Sequence, residues 1–368
     1  MQKKIKLLDG SLSYPLEKKG HNLNKKLWTG DALINDPNAI KKVHKDYLEL
    51  CLELESDRMR NLVFEQDLVN KEVDVVKEER RLRTDDQPIS KVFEKIGQQI
   101  FGMSGYGIPI VGTMNDISNV TISNLKKWYD NYYVPSNAIV IIAGDIDFDR
   151  TKELVKKYYG KIEDQKPIKL ENPIDHETSF DDMLVRDKVS QPIVLMSFKN
   201  KPFSENNKEE MYTLELLFEL MDGSNSSRFT RNLIDKKQTA INTFISYDTY
   251  SRKENLITLG GSPRKGISPN QFREEILNEF QEFVNSGLED GELDQVKSRL
   301  LANNIYKFDS VFYQVMQVGM LETKNYNWRL LDSYMEDINS INEDDLKNTA
   351  KNFILNKKHL YSLIEPKS

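Results

Sequence analysis

The chain has 368 residues, with 52 Lys plus Arg against 58 Asp plus Glu, four His and one Cys. Its net charge of −6 excludes a global basic field for nucleic acid or an anionic membrane. No apolar run reaches the roughly 18 residues that a transmembrane helix needs, and the single Cys51 excludes an internal disulfide framework or a multi-cysteine zinc site.

In chain order, Ile5–Leu8 is a short apolar stretch closed by the turn pair Asp9-Gly10. The basic N-terminus has no apolar core long enough for a signal peptide. Asn35-Asp36 caps a predicted helix over Pro37–Leu48. Residues 49–84 read as one long helical region, with Leu48, Leu52, Met59, Leu62 and Val63 as one stripe and Leu68, Val69, Val73 and Val76 as a second. A helix over 89–101 follows, then a Gly-rich turn from Gly102 to Gly112, then a helix capped by Thr121. The β-branched run Ala138–Ala143, ending at Gly144-Asp145, predicts a buried strand, and a helix covers 147–160. Residues 161–181 are polar, aperiodic and carry two Pro, as an inter-domain linker does.

Beyond the linker, Gln191–Phe203 is a strand, and Met211–Leu233 is helical with a break at Asp222–Asn225. Ala240–Tyr250 and Asn255–Gly261 form a hairpin, and Asn270–Ser286 is an amphipathic helix. Helices over 290–306, 310–336 and 342–353 lead to a last strand, Leu360–Ile364.

Ile117–Leu125 can be laid on Ile338–Leu346 at an offset of 221. The offset also sets Thr121 on Asn342, Asn131 on Asn352, Tyr132 on Phe353, Val134 on Leu355 and Ile139 on Leu360. Both copies read as apolar entry, N-cap, amphipathic helix, aromatic, turn and strand, which is the mark of a duplicated domain. From residue 181 to Ile338 is 157 residues, and from Met1 to Ile117 is 116. The first copy is therefore 41 residues shorter, and the deficit falls at its N-terminal end.

Leu52–Leu62 through Lys71–Arg81 resembles the insulinase/pitrilysin family of zinc metallopeptidases. So do Pro109–Gly112, Leu125–Tyr129, Tyr133–Ala138, Gly144–Ile146, Gly223–Arg228, Gln314–Gly319 and Leu321–Thr323. The resemblance runs over about 49–366 and implies an α+β fold. It would comprise two homologous domains, each a mixed β-sheet with helices packed on one face, enclosing a substrate chamber. The expected organisation is 1–48, 49–160 as a truncated first domain, 161–181 as linker and 182–368 as the second domain. The family's zinc is held by an H-x-x-E-H helix and a downstream Glu. By motif matching the distal ligand falls on Glu79, with Glu72, two helical turns earlier, as its supporting carboxylate. Glu78 is expected to be exposed. The H-x-x-E-H itself is absent: His21, His44, His176 and His359 are far apart, so no two share a helical turn, and one Glu cannot supply a three-ligand site.

Residues 6–47 instead resemble the start of a homocysteine S-methyltransferase, in Leu7–Ser11, Leu16–Gly20, Leu23–Trp28, Ala32–Pro37 and Val43–Tyr47. That family's zinc cysteines have no counterpart here, so methyl transfer to a thiol is not supported. The expectation is a fusion or assembly chimera, in which this start replaces the segment carrying the zinc helix and so would account for the deficit.

Many relatives hold the substrate with an Arg and a Tyr seven residues apart in the second domain. The matching positions are Ile234 and Ile241, neither able to donate to a carbonyl. The expectation is a zinc metalloendopeptidase by descent, inactive as it stands, that holds zinc weakly and catalyses nothing. The alternative is a non-catalytic peptide- or partner-binding homologue, or one subunit of a heterodimeric peptidase whose other, homologous subunit supplies the Arg/Tyr pair. Expected partners are peptides or unfolded protein, not nucleic acid. The compartment is open, since exported relatives are common and no leader is legible.

Overall fold

A computed structural model describes residues 13–18, 20, 35–102, 105–168 and 177–367. The chain forms two compact units, Met1–Val69 with Thr121–Leu170, and Asn70–Val120 with Glu171–Ser368.

In the first unit, α1 (Ser13–Lys18) packs on α2 (Pro37–Arg60), where Leu16 and Val43 are buried. Asp36 caps α2 by accepting from the Ala39 amide at 3.1 Å, and Pro37 opens it with its fixed φ. Because α2 runs unbroken through residue 48, the change of sequence character there has no structural seam. The long helical region expected over 49–84 is instead broken at 61–65, between α2 and α3 (Gln66–Arg80). The cause is Tyr129. Its hydroxyl donates to the Arg58 carbonyl at 2.8 Å and accepts from the Leu62 amide at 3.2 Å, taking both partners of the next helical hydrogen bond. Tyr129 lies on α6 (Ile122–Tyr132), capped by Thr121 as its sequence predicts. Next comes α7 (Phe148–Tyr158), capped by Asp147.

The run Ala138–Ala143 is not the buried strand its β-branched sequence predicts. It pairs with nothing among the described residues, and Ile139 and Val140 are 51% and 43% exposed. A strand needs a neighbour to satisfy its ladder, and none is built beside it.

The second unit holds a five-stranded mixed sheet, β1 (Met183–Asp187), β2 (Ile193–Asn200), β3 (Ala240–Ser246), β4 (Asn255–Pro263) and β5 (Leu360–Pro366), in the order β1-β5-β2-β4-β3. β1 runs parallel to β5, and the other pairings are antiparallel, with Met196 opposite Tyr361 on one side and Leu259 on the other. Strand β1 has only weak alternation and was not legible in the sequence.

Alternate residues of β2 serve opposite faces of the sheet. Val194, Met196 and Phe198 join the large core with α8 (Lys208–Asp222), α9 (Pro269–Ser286) and α13 (Glu343–Ala350). Leu195, with Leu360 and Ile364, meets Val92, Ile96 and Ile100 of α4 (Pro88–Phe101) on the other face. The helical stretch expected over 310–336 is two helices, α11 (Val311–Thr323) and α12 (Leu330–Ser340), after α10 (Glu292–Phe308). The break carries Asn325 at φ 63, a left-handed turn that Asn tolerates. The short α5 (Met114–Ser118) lies between α4 and α6 in sequence.

An offset of 221 carries α11 onto 90–102, beside α4 at Pro88–Phe101, and α13 onto 122–129, beside α6 at Ile122–Tyr132. The caps Thr121 and Asn342 make the same hydrogen bond, each to the third residue on, at 3.2 and 3.1 Å. The copies diverge at the next segment: β5 is an inner strand of its sheet, while 138–143 is unpaired.

Candidate functional site

Glu79 and Glu72 both lie on α3, two turns apart as expected. The helix is fixed at its C-terminal end by Arg80, which is 6% exposed. Its Nη1 donates to the Gly112 carbonyl at 2.7 Å, and its Nη2 donates to both carboxylate oxygens of Glu94 on α4, at 3.0 and 3.1 Å. Asp85 adds a third anionic contact at 3.3 Å, while Nε is buried without a partner.

The receiving turn is itself built from sequence. Gly112 has φ +80, a conformation open to glycine, and Thr113 and Asp116 close a reciprocal capping box at the start of α5. The Thr113 hydroxyl and amide hold the Asp116 carboxyl below the usual carboxylate range. Pro109–Gly112, which carried part of the family resemblance, thus has a mechanical role. It presents the carbonyl that anchors the residue beside Glu79.

Glu79 turns away from this anchor. Its carboxylate pairs with Arg83 at 2.7 Å, one turn on, and is 41% exposed. Glu72 is exposed, and Glu78 is exposed as expected and pairs with Arg81. An open concavity of about 700 Å³ lies over this face, lined by both Glu78 and Glu79 together with the exposed apolar side chains of Val75 and Leu82.

A catalytic zinc takes three protein ligands and an open position. Among the described residues no three His, Cys, Asp or Glu side chains converge. Of the four histidines, His21 and His176 lie outside the described residues. His44 lies in α2, and His359 stacks on Phe198 at 4.8 Å, its pKa pushed down by burial. A single carboxylate engaged by Arg83 is not a zinc donor set, so the described residues around Glu79 do not fit the ion.

Ile234 and Ile241 also have defined places. Ile234 packs against the large core, and Ile241 is 41% exposed on β3. Neither offers a donor. Arg80, which anchors the helix that carries Glu79, is the residue that pattern reading missed. Its signal was weak, one Arg inside the charged run Glu78–Arg83.

The family described as Peptidase M16 inactive domain matches residues 119–300, and that described as Homocysteine S-methyltransferase matches 6–52. The zinc protease PqqE of Helicobacter pylori is 28% identical over 275 residues, covering 73% of this chain and 61% of its own length. An uncharacterized zinc protease of Bacillus subtilis, YmxG, is 24% identical over 327 residues, covering 88% of this chain and 77% of its own. The crystal structure of a protease from Helicobacter pylori superposes with a TM-score of 0.77 at 24% identity, over 87% of this chain and 76% of that one. No described helix is long and apolar enough to cross a membrane.

Proposed function

We propose that this chain, which belongs to the insulinase/pitrilysin family of zinc peptidases, binds peptide or a partner protein without hydrolysing it. The observation that carries the reading is Glu79. At the position the family uses for its distal zinc ligand, the carboxylate is paired with Arg83 on an open helix face, and no second or third donor meets it among the described residues. The sequence agrees, since its four histidines never fall four residues apart.

What the chain retains is architecture. The second unit has its own sheet and core, and helix α3 keeps its carboxylates on an accessible face. Ile234 and Ile241 support the further reading that a homologous subunit would have to provide substrate-holding donors if the chain works in an assembly.

The test is a quenched fluorogenic peptide library with the purified full chain, with and without chelator, alongside zinc content by elemental analysis. Substoichiometric zinc and no chelator-sensitive turnover are expected. Peptide cleavage abolished by chelator would overturn the reading.

A further inference from the structure

The second unit contains a cavity of about 350 Å³ between α8, α10, α11, α12 and the end of β3. It shares no lining residue with the concavity over Glu79, and nothing above assigns it a role. The 221 offset gives it a place in the fold: it carries Leu300, which lines the cavity from α10, onto Glu79 of α3. The repeat thus sets this cavity where the other copy carries the family's ligand helix, with an apolar side chain at the ligand position.

Two carboxylates, Glu215 and Asp222, face the cavity from α8. Every hydrogen-bond partner the structure gives them is a neutral hydroxyl. Tyr334 donates to Glu215 at 2.9 Å and Thr249 donates at 3.1 Å, while Thr243 donates to Asp222 at 2.6 Å. Glu219, between them on the helix, is satisfied by Arg299 at 2.7 Å. Lys307, which lines the same cavity, acts on Glu215 through its charge, whereas Asp222 is held by the neutral Thr243 hydroxyl. Burial raises both carboxyls, Asp222 to about 6.

The walls between them are aromatic, with Tyr247, Tyr250 and Tyr334 contributing rings. Lys307, lining the cavity from α10, sets its ammonium 5.9 Å from the Tyr313 ring centre, so the chain itself shows a cation resting on this aromatic lining.

Spacing selects the kind of cation. Seven residues of helix separate the two α8 carboxylates by about 10 Å along the axis, far beyond the roughly 2.0–2.6 Å at which oxygen ligands meet one metal ion. An elongated organic cation with an alkyl stem and a terminal guanidinium or ammonium can lie along tyrosine faces and reach a carboxylate. We propose that this cavity is a subsite for a basic side chain, arginine or lysine, of a bound peptide, with Asp222 as its anion, the Glu215 carboxyl as a hydrogen-bonding wall and the tyrosine rings as the remaining walls. The proposal deepens the peptide-binding reading and rests on it for the source of the side chain, though not for the chemistry of the pocket.

The experiment is calorimetric titration of the full chain at neutral pH with N-acetyl-arginine amide, its uncharged citrulline counterpart and zinc ion alone. It is repeated with Glu215→Gln, Asp222→Asn and Tyr250→Phe variants whose melting is checked first. Arginine amide should bind and the citrulline analogue should not. Asp222→Asn should weaken binding about tenfold or more, and Glu215→Gln and Tyr250→Phe, which keeps the ring, by less.

Equal binding of the two amides, or unchanged affinity in a folded Glu215→Gln/Asp222→Asn double variant, overturns the subsite, as does zinc binding that those variants abolish. A parallel titration with basic and neutral peptides separates the two readings. Peptides that bind alike whether basic or neutral sink the subsite and leave peptide binding standing. Arginine amide bound without any peptide affinity does the reverse.

Discussion

Arg80 shows how a buried charge can be a scaffold for its neighbour. Its guanidinium satisfies Gly112, Glu94 and Asp85 together, so the end of α3 cannot rotate without stranding a buried cation. Arg80→Met should lower unfolding stability by about 3 kcal/mol, because Glu94 and the Gly112 carbonyl lose their donor while remaining largely covered. Arg83→Met, which removes only the exposed partner of Glu79, should cost less than about 0.5 kcal/mol. Urea unfolding of the two variants reads the difference, and equal losses would show that Arg80 is not the anchor.

Asp222 makes a prediction of opposite sense. Burial raises its pKa to about 6, well above the unfolded value near 3.9. The native state therefore holds an extra proton between about pH 4 and 6, and this residue's contribution to stability falls as pH rises through that window. Asp222→Asn should flatten the slope and raise stability above pH 6 by on the order of 1 kcal/mol. A variant with an unchanged pH profile would refute this.

At the scale of elements, helix starts were legible wherever a short polar side chain preceded an apolar period. Asp36, Thr121 and Asn342 all accept the hydrogen bond their positions predict. Breaks were not legible where a tertiary group made them. The Tyr129 hydroxyl splits α2 from α3 from about 70 residues away in sequence, and no local pattern announces it. Strand β1 was missed because it is short and its side chains only half buried; parallel pairing to β5 makes it a strand. Glu79 and Glu72 were found by motif, yet the pairing of Glu79 with Arg83 is a choice of rotamers that spacing leaves open.

Helix α4 is tied to β1 by one ion pair, Lys91 with Asp187, and the Lys188 amide donates to the same carboxylate at 2.8 Å. Lys91 and that amide hold the Asp187 carboxyl at about 2, below its unfolded value near 3.9. A depressed acid gives stability that is complete above the unfolded pKa and is lost as pH falls through the folded one. The tie between α4 and the sheet should therefore weaken between about pH 4 and 2. Amide exchange in Val92–Ile100 should accelerate in that window in the wild type. In Asp187→Asn it should already be faster at neutral pH and less acid-sensitive; matching profiles would discount the tie.

At the scale of the molecule, sequence repetition and folded units divide the chain differently. By sequence, α4 and α6 belong to one copy. In the fold, α4 covers the second unit's sheet, with Ile96 and Ile100 against Leu195 and Leu360, while α6 serves the first unit. Apolar periodicity revealed that α4 has a face to bury but not which surface receives it, because that depends on which sheet exists to be covered. The same logic accounts for Ala138–Ala143. Its β-branched composition suits a strand, but composition supplies no neighbour, and its repeat-mate β5 lies between β1 and β2.

Protection from exchange should therefore follow the sheet and not the repeat. Amides of Val194–Phe198 and of Ile96–Phe101 should exchange slowest, near the global unfolding limit, since both lie in continuous buried clusters. Amides of Ile139–Ala143 should exchange orders of magnitude faster, despite a sequence that is among the most apolar in the chain. Hydrogen exchange read by mass spectrometry on the full chain resolves all three segments. If 139–143 were as protected as 194–198, the segment would be strand-paired in solution and the description of the first unit would have to change. If α4 exchanged as fast as 139–143, its docking on the sheet would not be what holds it.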